Sequence, residues 1–289
     1  NLILPTVPRS IEDLNFWRNK YNSAIEALKK YKHSISDPQK MLNPSTFCLA
    51  YGDLNNLEIM KKISGLFRKI LPIINYRIEK KDTKKSQNNK IRVGFISEFF
   101  TDHTIGKLYK GIIKTIDRNK FELVIFHFPN TKLGIIKDEI DSYSDKIVHL
   151  IGKIDVQQKI IENELLDIIF YPDIGMTAST YFLAYARLAP VQVVGWGHPE
   201  TSGIDTIDYF LSSSFIEIKG SNSFYSEKLI CLERIPMYFT PPQTTGVKFT
   251  RSDFGFSKNK NLYCCPQTLF KIHPDFDMAL AKIAEKDPN

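Results

Sequence analysis

The sequence predicts an α/β fold: a parallel β-sheet with helices on both faces, preceded by an α-helical N-terminal segment. Two observations carry this. From residue 91 onward, short runs rich in Ile, Val and Phe alternate with amphipathic helical stretches. Strands of that composition alternating with helices argue for a parallel sheet covered on both faces. Ahead of residue 77 the apolar residues instead recur at three- and four-residue spacing, in helices with no sheet of their own.

Taken in order, Ser10 is placed to cap a helix whose Leu14, Trp17, Tyr21, Ala24, Ile25 and Leu28 form one stripe. A second stripe runs Leu57, Met60, Ile63, Leu66, Phe67 and Ile70, completing a helical segment over 1–76. Residues 77–90 (RIEKKDTKKSQNNK) hold six Lys/Arg against two acids, +4 of the chain's net +7. With almost no apolar residue, this run reads as a basic, solvated linker. Strands are then predicted at 91–97, 121–128, 146–150, 167–171, 191–196, 208–213 and 227–232. Helices are predicted from Thr104, near 133–143, at 155–166 and at 177–187, making a doubly wound domain over 91–238. Residues 239–260, rich in Pro, Gly and Thr, form a connector. NLYCC (261–265) reads as a new strand, and Pro274 suits the first turn of a helix through Ala284. One βα pair cannot close a core, so 261–289 is expected to begin a second, incomplete domain.

Composition narrows the function classes. The 289 residues are 43% hydrophobic and 25% charged, a globular balance. No apolar run reaches the roughly 18–20 residues of a membrane span. Four irregularly spaced cysteines (Cys48, Cys231, Cys264, Cys265) fit neither a disulfide framework nor a CxxC zinc site, so a reducing, cytoplasmic setting is expected. The positive charge lies mostly in the linker, without the interleaved aromatics of a nucleic-acid groove, so no nucleic-acid partner is expected.

Glycine-rich dinucleotide, Walker A, HExxH and GxSxG signatures are absent. Asp275-Phe276-Asp277 mimics a metal-binding DxD, but successive helix positions point apart, so it reads as surface charge and no metal site is expected. Loops at the carboxyl ends of parallel strands line ligand clefts. The first, EFFTDHTIG (98–106), carries Asp102 and His103. A histidine there could take a proton from an acceptor hydroxyl, or simply start a helix. YPDIGMT (171–177) offers Asp173 and Thr177 to the same edge, or a capped turn. GWGHPETSG (195–203) brings three glycines, His198, Pro199 and Thr201 after a strand, where backbone can approach a ligand. CCPQTLFKIHP (264–274) sets Lys271 and His273 before a helix start, an anion site if more than an exposed lysine.

Together IRVGFISEFFTDHTIGKL, YPDIGMT with FLAYARLAPVQVVGWGHPETSGIDTIDYF, FYSEKL and LYCCPQTLFKIHPDFD resemble glycosyltransferase family 41 over about 91–287. That family holds the O-linked N-acetylglucosaminyltransferases associated with tetratricopeptide repeats, the Spindly type and bacterial adhesin N-glucosyltransferases. GHP in the glycine loop is nearest the bacterial branch. The resemblance implies a GT-B fold of two Rossmann-like lobes, and metal-independent, inverting transfer of GlcNAc or glucose from a UDP-sugar to an acceptor protein or peptide. The UDP-sugar is a donor substrate, with no further cofactor. His103 matches the acceptor-side histidine. Gly197, His198, Pro199 and Thr201 match the loop facing the sugar, with Asp102, Asp173 and Thr177 on the same edge. Gln267 and Thr268 fall in the nucleotide region, and Lys271 matches the lysine on the diphosphate. The family's second lobe continues with a phosphate-binding glycine loop that these residues lack. The expectation is therefore a piece of a catalytic region, with a non-catalytic nucleotide-sugar or protein-binding module as the alternative.

Overall fold

The computed structural model describes residues 2–30, 35–43, 46–78, 89–241 and 246–287. Seven strands form one sheet: β1 (Ile91–Ile96), β2 (Phe121–His127), β3 (Lys146–His149), β4 (Ile168–Tyr171), β5 (Val191–Val194), β6 (Tyr209–Ser213) and β7 (Lys228–Leu232). Their order is β3-β2-β1-β4-β5-β6-β7, and every pair is parallel. All seven strands predicted between 91 and 232 are present, shorter by a residue or two at their ends.

The unbroken apolar runs are explained by two cores. Along β2, Leu123 and Ile125 enter one with Val93 and Phe95, while Val124 and Phe126 enter the other with Ile96 and Ile169. Alternation of side chains across a strand thus divides a continuous run between two faces. α4 (Thr104–Thr115) and α5 (Ile135–Ser142) cover the first face through Ile105, Tyr109, Ile113, Ile136 and Ile140. On the second lie α3 (Leu57–Ile70), α6 (Ile154–Asn163) and α7 (Ala178–Leu183).

α3 is therefore part of the lobe's core. Phe67 meets Tyr181, Phe182 and Tyr185 edge to face, with ring centroids 6.0, 5.2 and 6.4 Å apart. α1 (Ile11–Leu28) is capped as expected, the Asp13 amide donating to the Ser10 hydroxyl. Its six-residue stripe is buried at only two positions, Tyr21 and Ile25, because the helix lies outermost, on α3. A short helix α2 (Pro38–Met41) and a 3-10 stretch, Thr46–Gly52, join the two.

Two expectations fail. Residues 261–265 form no strand but an exposed, unpaired segment. A strand needs a neighbour for its amides and carbonyls, and the described residues offer it none. The helix expected at 177–187 ends at Leu183. Beyond the exposed 3-10 turn Leu269–Lys271, α8 (Asp275–Lys286) forms directly after Pro274 with no buried residue. Most of the basic run at 77–90 lies outside the described residues. Arg77 forms a parallel bridge with Arg187. Among the described residues no helix is long and apolar enough to cross a membrane, and all four cysteines are free.

Candidate active site

The sheet order fixes where a cleft can form. The chain lays β2 and β3 to one side of β1, then returns to place β4 on the other. Loops leaving β1 and β4 therefore part at their carboxyl ends, the switch point where ligands bind in such sheets. The loop after β5 folds over that point. The Gly195 amide donates to the Tyr171 carbonyl at 2.8 Å, and the Gly197 amide to the Pro172 carbonyl at 2.8 Å. The Trp196 amide donates to the Tyr109 hydroxyl of α4 at 3.1 Å. A Cβ at position 197 would stand 2.3 Å from the Pro172 carbonyl oxygen and 2.8 Å from Ile105 Cδ1, so glycine is required. The loops 98–106, 171–177 and 195–203 thus meet at one edge.

His103 occupies the N-cap of α4, and its ring stacks on Phe99 at 4.3 Å. Its Nδ1 accepts the Ile105 amide at 3.2 Å. Burial, and secondarily the nearby Lys107, hold its pKa below the ordinary histidine value. The neutral ring consequently carries its proton on Nε2 and presents a donor; its basic lone pair is already occupied. The adjacent Asp102 makes no bond to it. Instead Asp102 Oδ1 accepts the Ile136 amide at 3.0 Å, capping α5.

Asp173 is fully buried beneath the glycine loop. No hydrogen bond of ordinary geometry reaches either carboxyl oxygen among the described residues. Burial pushes its pKa up to about 8; the Ser97 hydroxyl beside it offsets part of that rise, and Glu98 adds to it. Thr177, half-buried at the start of α7, bonds the Thr180 hydroxyl at 3.2 Å.

His198 turns away from His103. Its ring packs edge-on against Phe47 at 4.9 Å, in the helical layer, with Nε2 buried and unpartnered among the described residues. Burial lowers its pKa to about 4, so it is neutral. The two histidines share an edge but not a pocket, since each is drawn into a different apolar layer. Pro199 remains exposed at the loop tip. Thr201, matched to the sugar side, is buried and donates inward to Glu227 Oε2 at 2.7 Å. Glu200, its pKa raised to about 7 mainly by burial, accepts from Asn56 Nδ2 at 2.5 Å. Asn56 in turn accepts from Arg18 of α1.

Lys271 is exposed, its ammonium 6.0 Å from the Tyr51 ring, and no carboxylate lies within ion-pair distance among the described residues. Phe270 packs on Tyr51 at 5.7 Å, Tyr51 on Phe47 at 5.6 Å, and Phe47 on His198. This aromatic series ties the 264–274 segment to the glycine loop through the helical layer. Gln267 and Thr268 are exposed and bond each other. Glu200, Glu227, Tyr109 and Phe47 escape sequence reasoning, because those partners lie 26 to 151 residues away.

A family model for glycosyl transferase family 41 matches residues 60–241, from within α3 to just past β7. The chain belongs to glycosyltransferase family 41. Among family relatives it is 24% identical over 208 residues to the probable UDP-N-acetylglucosamine–peptide N-acetylglucosaminyltransferase SEC of Arabidopsis thaliana, covering 69% of this chain and 21% of that protein. It is 25% identical over 212 residues to a UDP-glucose:protein N-beta-glucosyltransferase of Actinobacillus pleuropneumoniae, covering 69% of this chain and 32% of that one. The chain thus spans about a fifth to a third of the length of these relatives. Its fold matches a mutant O-GlcNAc transferase from Thermobaculum terrenum with a TM-score of 0.64 at 16% identity, over 96% of this chain and 49% of that one. The structural match, unlike the family model, takes in the N-terminal helices.

Proposed function

We propose that this chain supplies the acceptor-side lobe of an inverting, metal-independent protein glycosyltransferase. The enzyme moves GlcNAc or glucose from a UDP-sugar to a protein side chain, and residues 261–289 begin its donor lobe. The observation that carries this is the convergence of the loops 98–106, 171–177 and 195–203 at the sheet's switch point in a family 41 chain.

The acceptor oxygen or amide nitrogen loses a proton as it attacks the anomeric carbon, and UDP departs with the electron pair of the broken bond. His103 orients the acceptor through Nε2–H, because its Nδ1 is engaged by the helix it caps. Lys271, with no carboxylate partner among the described residues, meets the charge that grows on the diphosphate. A cation placed there in advance stabilises the leaving group without a metal ion. Gln267 and Thr268 lie beside it for the nucleotide.

The test uses the protein with its donor lobe, radiolabelled UDP-GlcNAc and UDP-glucose, and mass spectrometry of acceptor proteins. Transfer that survives EDTA and inverts the anomeric centre is expected. Retention of configuration, or loss of transfer on chelation, would refute the mechanism. Tight UDP binding with no transfer would favour the non-catalytic module.

A further inference from the structure

The glycine loop is held at both ends, and its second anchor has been given no role. Its first end hangs on the Tyr171 and Pro172 carbonyls. Its second end closes on one carboxylate, that of Glu227, which is 5% exposed and immediately precedes β7. Four donors converge there. The Ser202 amide donates to Oε1 at 2.8 Å, and the Ser202 hydroxyl donates to the same oxygen. The Thr201 hydroxyl donates to Oε2 at 2.7 Å and the Ser226 hydroxyl at 3.1 Å. An ionised carboxylate has about four lone-pair sites, so the set is saturated.

We propose that Glu227 is the positioning residue of the loop 195–203, fixing Gly197 to Pro199 over the switch point for the transfer reaction; this rests on the functional reading above. A buried carboxylate with four donors is strongly oriented, and each bond to a charged group is stronger than a neutral one. Because Glu227 immediately precedes β7, which pairs with β6 along its whole length, it ties the loop to the sheet. Without this anchor the loop would keep its first end and the mid-loop contacts of His198 and Glu200, but residues 201–203 would lose their tie to the sheet. Group transfer is sensitive to misplacement of about an ångström.

The deciding variant is Glu227→Gln. Glutamine keeps the size and shape, but its amide NH2 cannot accept, so two of the four donors lose their acceptor whichever way it sits. Hydrogen exchange on the 289-residue chain should show the Ser202 amide exchanging at least about tenfold faster, with β1 and β4 amides unchanged. In a Trp17→Phe background, Trp196 is the remaining tryptophan and reports the loop directly; its emission should become more quenchable by acrylamide. In the protein with its donor lobe, kcat should fall about tenfold or more while the donor KM stays within about twofold. Unchanged exchange and quenching would overturn the proposal, as would a change confined to KM. If Glu227→Gln unfolds the chain, the double variant Thr201→Val, Ser202→Ala removes the loop's two hydroxyl donors while leaving the residue-202 amide bond, and it must still make Trp196 more quenchable and speed exchange of the residue-202 amide, or the proposal fails. The exchange arm needs no catalysis, so a protein without transfer activity counts against the proposed function and not against this anchor.

Discussion

The Nδ1 lone pair of His103 is held by its own helix, so general-base catalysis by this ring would require the cap to break. His103→Ala should therefore lower turnover by no more than about tenfold and cost about 1 kcal/mol of stability, the usual worth of a cap. A loss of about 10²–10⁴ in turnover with the fold intact would reinstate it as the base. Lys271→Ala is expected to lower kcat more than donor affinity, because the charge it meets develops as UDP leaves. Steady-state kinetics decide this: weakened donor binding at normal saturated turnover would contradict it. Asp173 sets a pH dependence. Its pKa is about 8 in the folded chain against 3.8 unfolded, so its contribution is full at low pH and lost as pH rises through 8. Glu200, raised to about 7, acts in the same direction. His198, lowered to about 4 from 6.5, contributes above 6.5 and is lost as pH falls through 4. Between pH 6.5 and 8 the carboxyls alone act, and Asp173 should reduce stability by about 1–2 kcal/mol. Urea unfolding across that window should show a slope that Asp173→Asn flattens.

At the scale of elements, α3 packs as a layer on the seven-stranded sheet. Phe67 sits among three aromatic rings of the α7 region, and Ile63 and Leu66 are fully buried beside it. Phe67→Ala should cost about 3–5 kcal/mol, the range for emptying a buried aromatic site. Calorimetric unfolding should show one transition shifted as a whole; a separate low-temperature transition for the helices would mean that α3 folds apart from the sheet. The contact between the two layers passes through Gly203. It has φ of +68°, and a Cβ there would stand 2.5 Å from the Met60 carbonyl carbon of α3.

At the scale of the molecule, the first lobe is closed and the 261–287 segment is not. α8 buries no residue, Gln267 and Thr268 stand exposed ahead of the 3-10 turn, and Lys271 stands exposed at its end. A nucleotide there would meet few groups, and association costs would consume what those contacts supply. Residues 1–289 alone should bind UDP at about millimolar strength or weaker and transfer no sugar. Calorimetry with UDP checks this, and micromolar binding would mean that the donor site lies within the first lobe.

The seven-strand lobe was legible because its signal is local. Apolar runs in β1, β2, β4, β5 and β6 and period-four stripes in α3 and α4 record burial, whereas the edge strands β3 and β7 are mostly exposed. The motif order carried the family in the same way. Helical stripes overstate burial at the surface, as on α1, because amphipathicity says which face turns inward but not how much covers it. Residues 261–265 failed as a strand because pairing depends on a neighbour, which no single run encodes. The site divides along the same line. That His103, Asp173 and His198 lie beyond strand ends followed from the sequence. That Asp102 caps α5, that His198 packs on Phe47 and that Thr201 turns inward to Glu227 was decided only by the tertiary structure. A side chain's role is set by the partner that folding brings to it, here from 26 to 151 residues away.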